Sequence, residues 1–317
     1  MLQITSRPYI LEDRGPLTDI FLAYRVATSV QTYLTIWRTR LLLTSRVWDL
    51  AQDSRVWQDT NGHMLGLAML WRRRREDAYL VLDRFVQPAL ATHELADAML
   101  AWGTKRAQAI AREQAAPMTL YAGALNLPQL FNKHLESHGF VPVARDPEQY
   151  NVYFARSLGT DVPAPVLPDG YEIRPLQSTE IQAFQTIYDF ATVNPQHFQE
   201  LLASEEYEHL VVVSPEGAFV AYCEYSICRA EWQKSDTKIG WIDYVGTIPE
   251  HQQKGLGKAV LLASLQRLQN WGAERVQLAT INTNTPAINL YHAAGFTPIT
   301  VPEPTRYEKQ IKVVTAA

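Results

Sequence analysis

Between Ile239 and Leu268 the chain commits itself to a strand, a tight turn and a helix in immediate succession. Ile239 to Ile248 is an apolar run rich in β-branched and aromatic residues. Pro249 ends it, because proline has no N–H to give a sheet ladder. Gln252-x-x-Gly255-x-Gly257 follows, and Val260, Leu261, Leu262, Leu265 and Leu268 then recur at helical spacing. A helix opened by glycines leaves its first N–H groups without intrahelical acceptors, and its dipole puts partial positive charge at the same end. Such a turn is an anion site, and the glycines let a phosphate approach the backbone. Lys254 and Lys258 add full charges. The spacing is neither that of a P-loop nor that of the dinucleotide fingerprint.

The rest of the chain reads as two passes of one pattern. Met1 to Ser6 is a predicted strand, and Pro8 to Asp53 is largely helical in pattern. Arg55 to Gln58, His63 to Trp71 and Tyr79 to Val86 read as strands, the second entered through Asn61-Gly62. A helix over Glu94 to Arg112, a strand over Met118 to Tyr121 and a helix over Gln129 to Ser137 follow, the last stopped by Gly139. Strands Val141 to Ala144 and Tyr150 to Ala155 close the first pass. Gly159 to Gly170 holds Pro163, Pro165 and Pro168 and no periodicity, so it reads as a linker.

The second pass begins with strand Tyr171 to Leu176. Helices Glu180 to Ala191, behind a Ser178/Thr179 cap, and Gln196 to Ala203 come next. Strands Leu210 to Val213 and Ala218 to Ile227 lead into the unit at Ile239. Strand Arg275 to Ile281, helix Pro286 to Ala294 and strands Phe296 to Thr300 and Tyr307 to Val313 complete it. The order β-αα-βββ-α-β-α-ββ thus occurs twice, a repeat of about 150 residues that points to internal duplication. Domains are expected at 1–158 and 170–317, with residues 159–169 between them.

The turn at Gln252 to Gly257, behind a strand ending in Pro, resembles the acyl-CoA-binding motif of the GNAT superfamily of N-acyltransferases. Asn284-x-x-Ala287-x-x-Leu290-Tyr291-x-x-x-Gly295-Phe296 is similar to the superfamily's last signature. Together the two motifs cover about 60 residues of the second half. The resemblance implies an α/β chain of the α+β type, with two tandem domains, each a mixed, mostly antiparallel twisted sheet flanked by helices. It implies acetyl-CoA as co-substrate, held by Val245, Gly246, Thr247, Gln252, Gln253, Lys254, Gly255, Leu256, Gly257, Lys258, Asn284 and Ala287. It further implies direct transfer of acetyl to an amine.

That chemistry needs backbone donors at the thioester carbonyl, a base for the amine and an acid for the departing thiolate. Tyr291 is the candidate acid. Many family members place the base Glu on the strand eight residues before the Pro, where this chain has Trp241. Asp243, two residues on and facing the same way, and Glu224 on the adjoining strand are the two candidate bases. His209, His251 and His292 read as surface or helix residues. The layout resembles that of mycothiol synthase, but Trp241, and Ala279 in place of that family's acceptor tyrosine, depart from it. In the first pass, Val86-Gln87-Pro88 set against Thr247-Ile248-Pro249 puts Ala91, Glu94 and Ala96 where Gln252, Gly255 and Gly257 stand. Gly139-Phe140 set against Gly295-Phe296 puts Leu135 where Tyr291 stands. The first domain is expected to have kept the fold and lost the cofactor site.

Charge is uneven. From Pro168 onward the chain carries 11 Lys/Arg against 17 Asp/Glu, a net of −6, and the part before it carries +2. An acidic domain that binds an anionic co-substrate leaves the rest of its surface suited to a cationic partner, a small primary amine; a protein amine or a non-catalytic acyl-CoA-binding role stays open. Nucleic acid is not an expected partner at a net charge of −4. No apolar run reaches the roughly 18 residues of a membrane span. Met1 to Asp19 lacks an apolar signal core, so the cytosol is the expected compartment. Cys223 and Cys228, on one predicted strand, read as reduced core residues, and no metal is expected. A homodimer is left open.

Overall fold

The structure, a computed structural model, describes residues 4–28, 49–72, 74–123, 130–144, 148–159, 162–187, 195–301 and 305–313. In chain order the strands are β1 (Thr5–Arg7), β2 (Ser54–Gln58), β3 (Met64–Trp71), β4 (Tyr79–Val86), β5 (Met118–Gly123), β6 (Val141–Pro142) and β7 (Asn151–Ser157). They continue as β8 (Glu172–Pro175), β9 (Tyr207–Val213), β10 (Phe219–Ile227), β11 (Ile239–Thr247), β12 (Arg275–Ile281), β13 (Thr297–Ile299) and β14 (Arg306–Ile311). The helices of eight residues or more are α1 (Arg14–Thr28), α2 (His93–Glu113), α3 (Leu130–Ser137), α4 (Pro195–Leu202), α5 (Leu256–Asn270) and α6 (Thr285–Ala293). Much of the helical stretch expected in Pro8 to Asp53, and the end of Glu180 to Ala191, lie outside the described residues. What is described of the latter is a 3-10 turn at Ser178–Glu180 and one helical turn, Ile181–Phe184. Neither Ser178 nor Thr179 caps it; the Glu180 carboxylate accepts from the Gln177 N–H at 3.1 Å instead.

Two seven-stranded sheets form, in the orders β1-β2-β3-β4-β5-β14-β6 and β8-β9-β10-β11-β12-β7-β13. The orders correspond position by position. Each sheet is antiparallel except for one parallel pair, β4 with β5 and β11 with β12. The sixth position is exchanged: β7 lies between β12 and β13, and β14 between β5 and β6. This corrects the contiguous boundaries 1–158 and 170–317. The compact units contain residues 146–301 in one and 45–145 with 302–317 in the other. The Pro-rich stretch therefore joins β7 to β8 within one unit. Local pattern sets where a strand lies in the chain, but not which of two like sheets completes its ladder.

In the first unit, β3 is buried on both faces, as its continuous apolar sequence requires. α2 buries Leu95, Ala96, Met99, Leu100, Gly103, Ala107, Ile110 and Ala111 at three- and four-residue spacing. Gly103 is needed because a Cβ there would come within 2.6 Å of Leu82. In the second unit α5 does the same with Leu256, Val260, Leu261, Leu265 and Leu268, against Ala221, Cys223, Tyr225 and Ile227 of β10. Cys223 sits on β10 and Cys228 just beyond its end, both buried and neither in a disulfide. Among the described residues no helix is long and apolar enough to cross a membrane.

Candidate active site

The second sheet opens along β11. Its parallel ladder with β12 runs over Ile239↔Arg275, Gly240↔Val276 and Trp241↔Gln277 and ends there. On its other side β11 stays paired with β10 as far as Thr247. From Ile242 onward, the edge facing β12 therefore carries backbone groups outside any described ladder, beside part-exposed Tyr244 to Thr247. Val245, Gly246 and Thr247 lie on that edge. Gly246 is required there, since a Cβ would come within 2.7 Å of the Tyr222 ring.

The strand then enters the turn. Gln252 braces it, its Nε2 donating to the Thr247 carbonyl at 3.1 Å. Gln253 and Gly255 take left-handed backbone, with φ of 62° and 81°. Gly255 caps α5 without any side-chain bond to the helix amides, so the first N–H groups, from Leu256, Gly257 and Lys258, keep their donors directed outward. A Cβ on Gly257 would stand 3.2 Å from Thr247 Oγ1, which narrows the cradle. Lys254 Nζ donates to Tyr171 Oη at 3.3 Å, and Tyr171 Oη is 3.0 Å from His251 Nδ1. Uncapped amides, a bare glycine and two lysines fit an anionic phosphate chain.

Asn284 and Ala287 come together in a different way. Asn284 Oδ1 accepts from the Ala287 N–H at 3.3 Å, which caps α6. Tyr291, on α6, is buried with its ring 5.8 Å from Phe154 and 6.1 Å from Phe296. It belongs to the apolar cluster on the α5 side of the sheet, with Cys223 and Tyr225.

Glu224 and Asp243 are brought together on the opposite face. The β10–β11 register steps from Glu224↔Tyr244 to Tyr225↔Ile242, so Asp243 is the extra residue of a bulge. Ser226 Oγ donates to Asp243 Oδ2 at 2.6 Å. Both carboxylates are buried, Glu224 at 1% exposure and Asp243 at 6%. Glu224 is thus no solvent-facing carboxylate. Its register partner on β9 is His209, and that of Ser226 is Tyr207. Tyr207 Oη donates to Glu224 Oε1 at 2.9 Å and lies 2.8 Å from His209 Nε2. His209 is fully buried on a strand, which corrects its reading as a surface or helix residue. Burial lowers its pKa to about 3, so the ring is neutral, and burial together with Glu224 raises the Tyr207 phenol.

Tyr207 and His209 were not legible as site residues because the predicted strand began at Leu210. Glu206 and Glu208 break the apolar pattern there, yet Tyr207-x-His209 is the two-residue spacing that puts both side chains on one face.

The first unit shows the same places filled. Its parallel ladder ends at Leu82↔Ala122. Past it, buried Arg84 reaches across and donates from Nη2 to the Gly123 carbonyl at 2.8 Å. Thr92 Oγ1 caps α2, accepting from the Leu95 N–H at 3.2 Å, and Glu94 sits in the first turn. Leu135 is fully buried in the core.

Residues 173–296 match the model of the acetyltransferase (GNAT) family. A mycothiol acetyltransferase of Thermobispora bispora is 32% identical over 156 residues, covering 46% of this chain and 53% of that protein. One of Pseudarthrobacter chlorophenolicus is 48% identical over 63 residues, 20% of each chain. The chain spans about half or less of the length of such curated relatives. Among solved structures, a tandem GNAT protein from the clavulanic acid biosynthesis pathway aligns with a TM-score of 0.63 at 15% identity, covering 98% of this chain and 99% of that one. A GCN5-related N-acetyltransferase from Sphaerobacter thermophilus aligns at 0.56 and 19% identity, over 98% and 96%. These likenesses carry the fold, and the two matched sheets carry its duplication. Over residues 173–296 the chain is thus similar to the acetyltransferase (GNAT) family, and its two sheets share the fold of a tandem GNAT protein.

Proposed function

We propose that the chain transfers an acetyl group from acetyl-CoA to the primary amine of a small molecule, by direct attack in a ternary complex. The observation that carries this reading is the pairing of an uncapped, glycine-opened helix with an open strand edge beside it, inside the family-matched region. Gln252 to Lys258 would hold the pyrophosphate, their amides and lysines meeting its charge. Val245 to Thr247 would pair with the pantetheine amides and donate an N–H to the thioester oxygen as charge develops there. Asn284 and Ala287 would shape the far wall. Asp243 or Glu224 takes a proton from the ammonium, and Tyr291 gives one to the sulfur. Bound acetyl-CoA supplies the activated acyl carbon. The first unit binds none of it: Arg84 spans the opening, and Thr92 and Glu94 occupy the helix start.

The mycothiol acetyltransferase relatives support acetyl transfer. Trp241 and Ala279 argue for an acceptor of another shape. Titration calorimetry with acetyl-CoA tests the first half of the reading. A panel of amines (glucosamine, S-methylcysteinamide, cadaverine, lysinamide), read by thiol release, tests the second. Tight binding with no thiol released by any amine, protein amines included, would leave an acyl-CoA-binding module, the reading that Trp241 at the usual base position favours.

A further inference from the structure

A hollow at the far end of α5 takes no part in the transfer chemistry. Arg229, Trp232, Gln233, Lys238, Trp271 and Gly272 line it, and its volume is about 350 Å³. That is the small end of the range for ligand sites, roughly 300–1,000 Å³. α5 is 15 residues long, so at about 1.5 Å per residue the hollow lies roughly 22 Å from the glycine turn. Three elements meet there: the helical turn Arg229–Trp232 after β10, the start of β11 and the end of α5.

Both indoles are held in place. Trp232 Nε1 donates to the Ile239 carbonyl at 2.8 Å, and the Trp271 ring centre is 5.2 Å from that of Tyr225. Each is part-exposed, so apolar ring surface borders the opening. Only the Trp232 ring lies within 4.0 Å of where a Gly272 side chain would begin, which leaves room above the backbone. A helix C-terminus ordinarily repels anions. This one is closed: the Arg267, Leu268 and Gln269 carbonyls accept from the N–H groups of Trp271, Ala273 and Gly272, and Gly272 at φ of 97° turns the chain back to make this possible.

Among the described residues the lining carries two cations and no carboxylate. Their acidic partners stand back from it. Glu206 Oε1 is 3.9 Å from Arg229 Nε, and Glu274 Oε1 is 3.8 Å from Lys238 Nζ. Both distances exceed a hydrogen bond, and all four side chains are at least a quarter exposed, so these pairs are weak. The Arg229 guanidinium carbon lies 5.9 Å from the Trp232 ring centre, so positive charge and an aromatic face stand side by side.

We propose that this hollow is a second binding site, for a small aromatic carboxylate. The ligand ring lies against the indoles of Trp232 and Trp271. Arg229 and Lys238 bond its carboxylate, whose plane matches the guanidinium fork, and Gln233 adds a neutral donor. The site shares no residue with the glycine turn or with the carboxylates of the transfer reading, and it stands independently of that reading.

The probe is 2-naphthoate, titrated by calorimetry with and without saturating acetyl-CoA. Saturable one-to-one binding is expected in both titrations, since the acetyl-CoA leaves only this site open. Naphthylmethanol keeps the rings and loses the charge, and should bind about tenfold more weakly. Arg229→Gln and Lys238→Gln should each lower naphthoate affinity about fivefold, the upper worth of an exposed ion pair, and leave that of the alcohol unchanged. Trp271→Leu should weaken both ligands alike. Where Trp271→Leu does not fold, 15N spectra of the parent take its place. Naphthoate is expected to move the indole N–H signals of Trp232 and Trp271, assigned through Trp232→Phe and Trp271→Phe. Unmoved signals, no saturable binding, or equal affinity for acid and alcohol each overturn the proposal. So do charge variants that bind as the parent does, or naphthoate binding abolished by acetyl-CoA. Self-association of the parent that naphthoate disperses would make a second copy of the chain the occupant, which overturns it as well. A parent that fails to bind acetyl-CoA sinks the transferase reading and leaves the naphthoate result standing.

Discussion

The helix that follows the open strand begins differently in the two units. In the first, Thr92 closes the helix start with its own hydroxyl, Glu94 stands in the first turn and Arg84 bridges the strands. In the second, Gly255 caps without a side chain, and the strands part with no described bridge. The scaffold is the same, so the difference lies in a few side chains that either satisfy the backbone from within or leave it for a ligand. A helix start left uncapped costs stability that a bound anion returns. The first unit satisfies its helix start from within; the second leaves its first amides for the anion proposed above.

The comparison breaks most sharply if the second turn is given a carboxylate, as the first helix start has in Glu94. Gly257→Glu, at the counterpart of Ala96, adds one where a Cβ would stand 3.2 Å from Thr247 Oγ1. Acetyl-CoA affinity is expected to fall roughly thousandfold, because like charges brought together cost several kcal/mol. Calorimetry would read the loss, with a thermal melt checking that the fold survives. An affinity within threefold of the parent's would remove the turn from the site. Next in size is Tyr291→Phe, which gives the second unit a side chain as inert as Leu135 in the first. It should lower kcat by roughly a hundredfold, the usual worth of a general acid, and leave the acetyl-CoA KM unchanged.

Much of this contrast was legible in the residues. The glycines, Pro249 and the helical spacing after them fix a turn that the structure bears out to within a residue, and Glu94 against Gly255 already marks the unlike copy. The strand exchange was not legible: β7 and β14 carry the same kind of alternating pattern and either sheet could accept either. Nor was the contact of Tyr207 with Glu224 and His209, because Glu206 and Glu208 interrupt the apolar signal that would have extended β9 to Tyr207. Arg84 was hidden for a related reason. An arginine inside a strand reads as solvent-facing until the parting of its neighbour shows that it has a carbonyl to reach.

Arg84 provides the third test, now in the first unit alone. Arg84→Met keeps most of the stem and leaves the Gly123 carbonyl without this donor. Urea unfolding is expected to show a loss of about 1 kcal/mol, the net worth of a hydrogen bond to a part-exposed carbonyl. Acetyl-CoA affinity should not move. A gain of a second binding equivalent would mean that the first unit needs only its bridge removed to bind, and that its helix cap matters little.

The smallest effects come from the caps themselves, and they should differ in kind between the units. Thr92→Ala removes one hydroxyl acceptor from the Leu95 N–H and is expected to cost about 1 kcal/mol in urea unfolding. It should leave acetyl-CoA binding as it was. Gly255→Ala adds a methyl at a left-handed residue with φ of 81°, where nothing lies within 4 Å of the new Cβ. The cost there is conformational, about 1 kcal/mol, with no clash to add. Yet acetyl-CoA affinity should fall several-fold, because relaxing that φ turns the first amides of α5 away from their common point. Equal stability losses with affinity changed in only one variant would separate a cap that completes a helix from one that completes a site. Affinity loss in both would mean that the Thr92 helix start also takes part in binding.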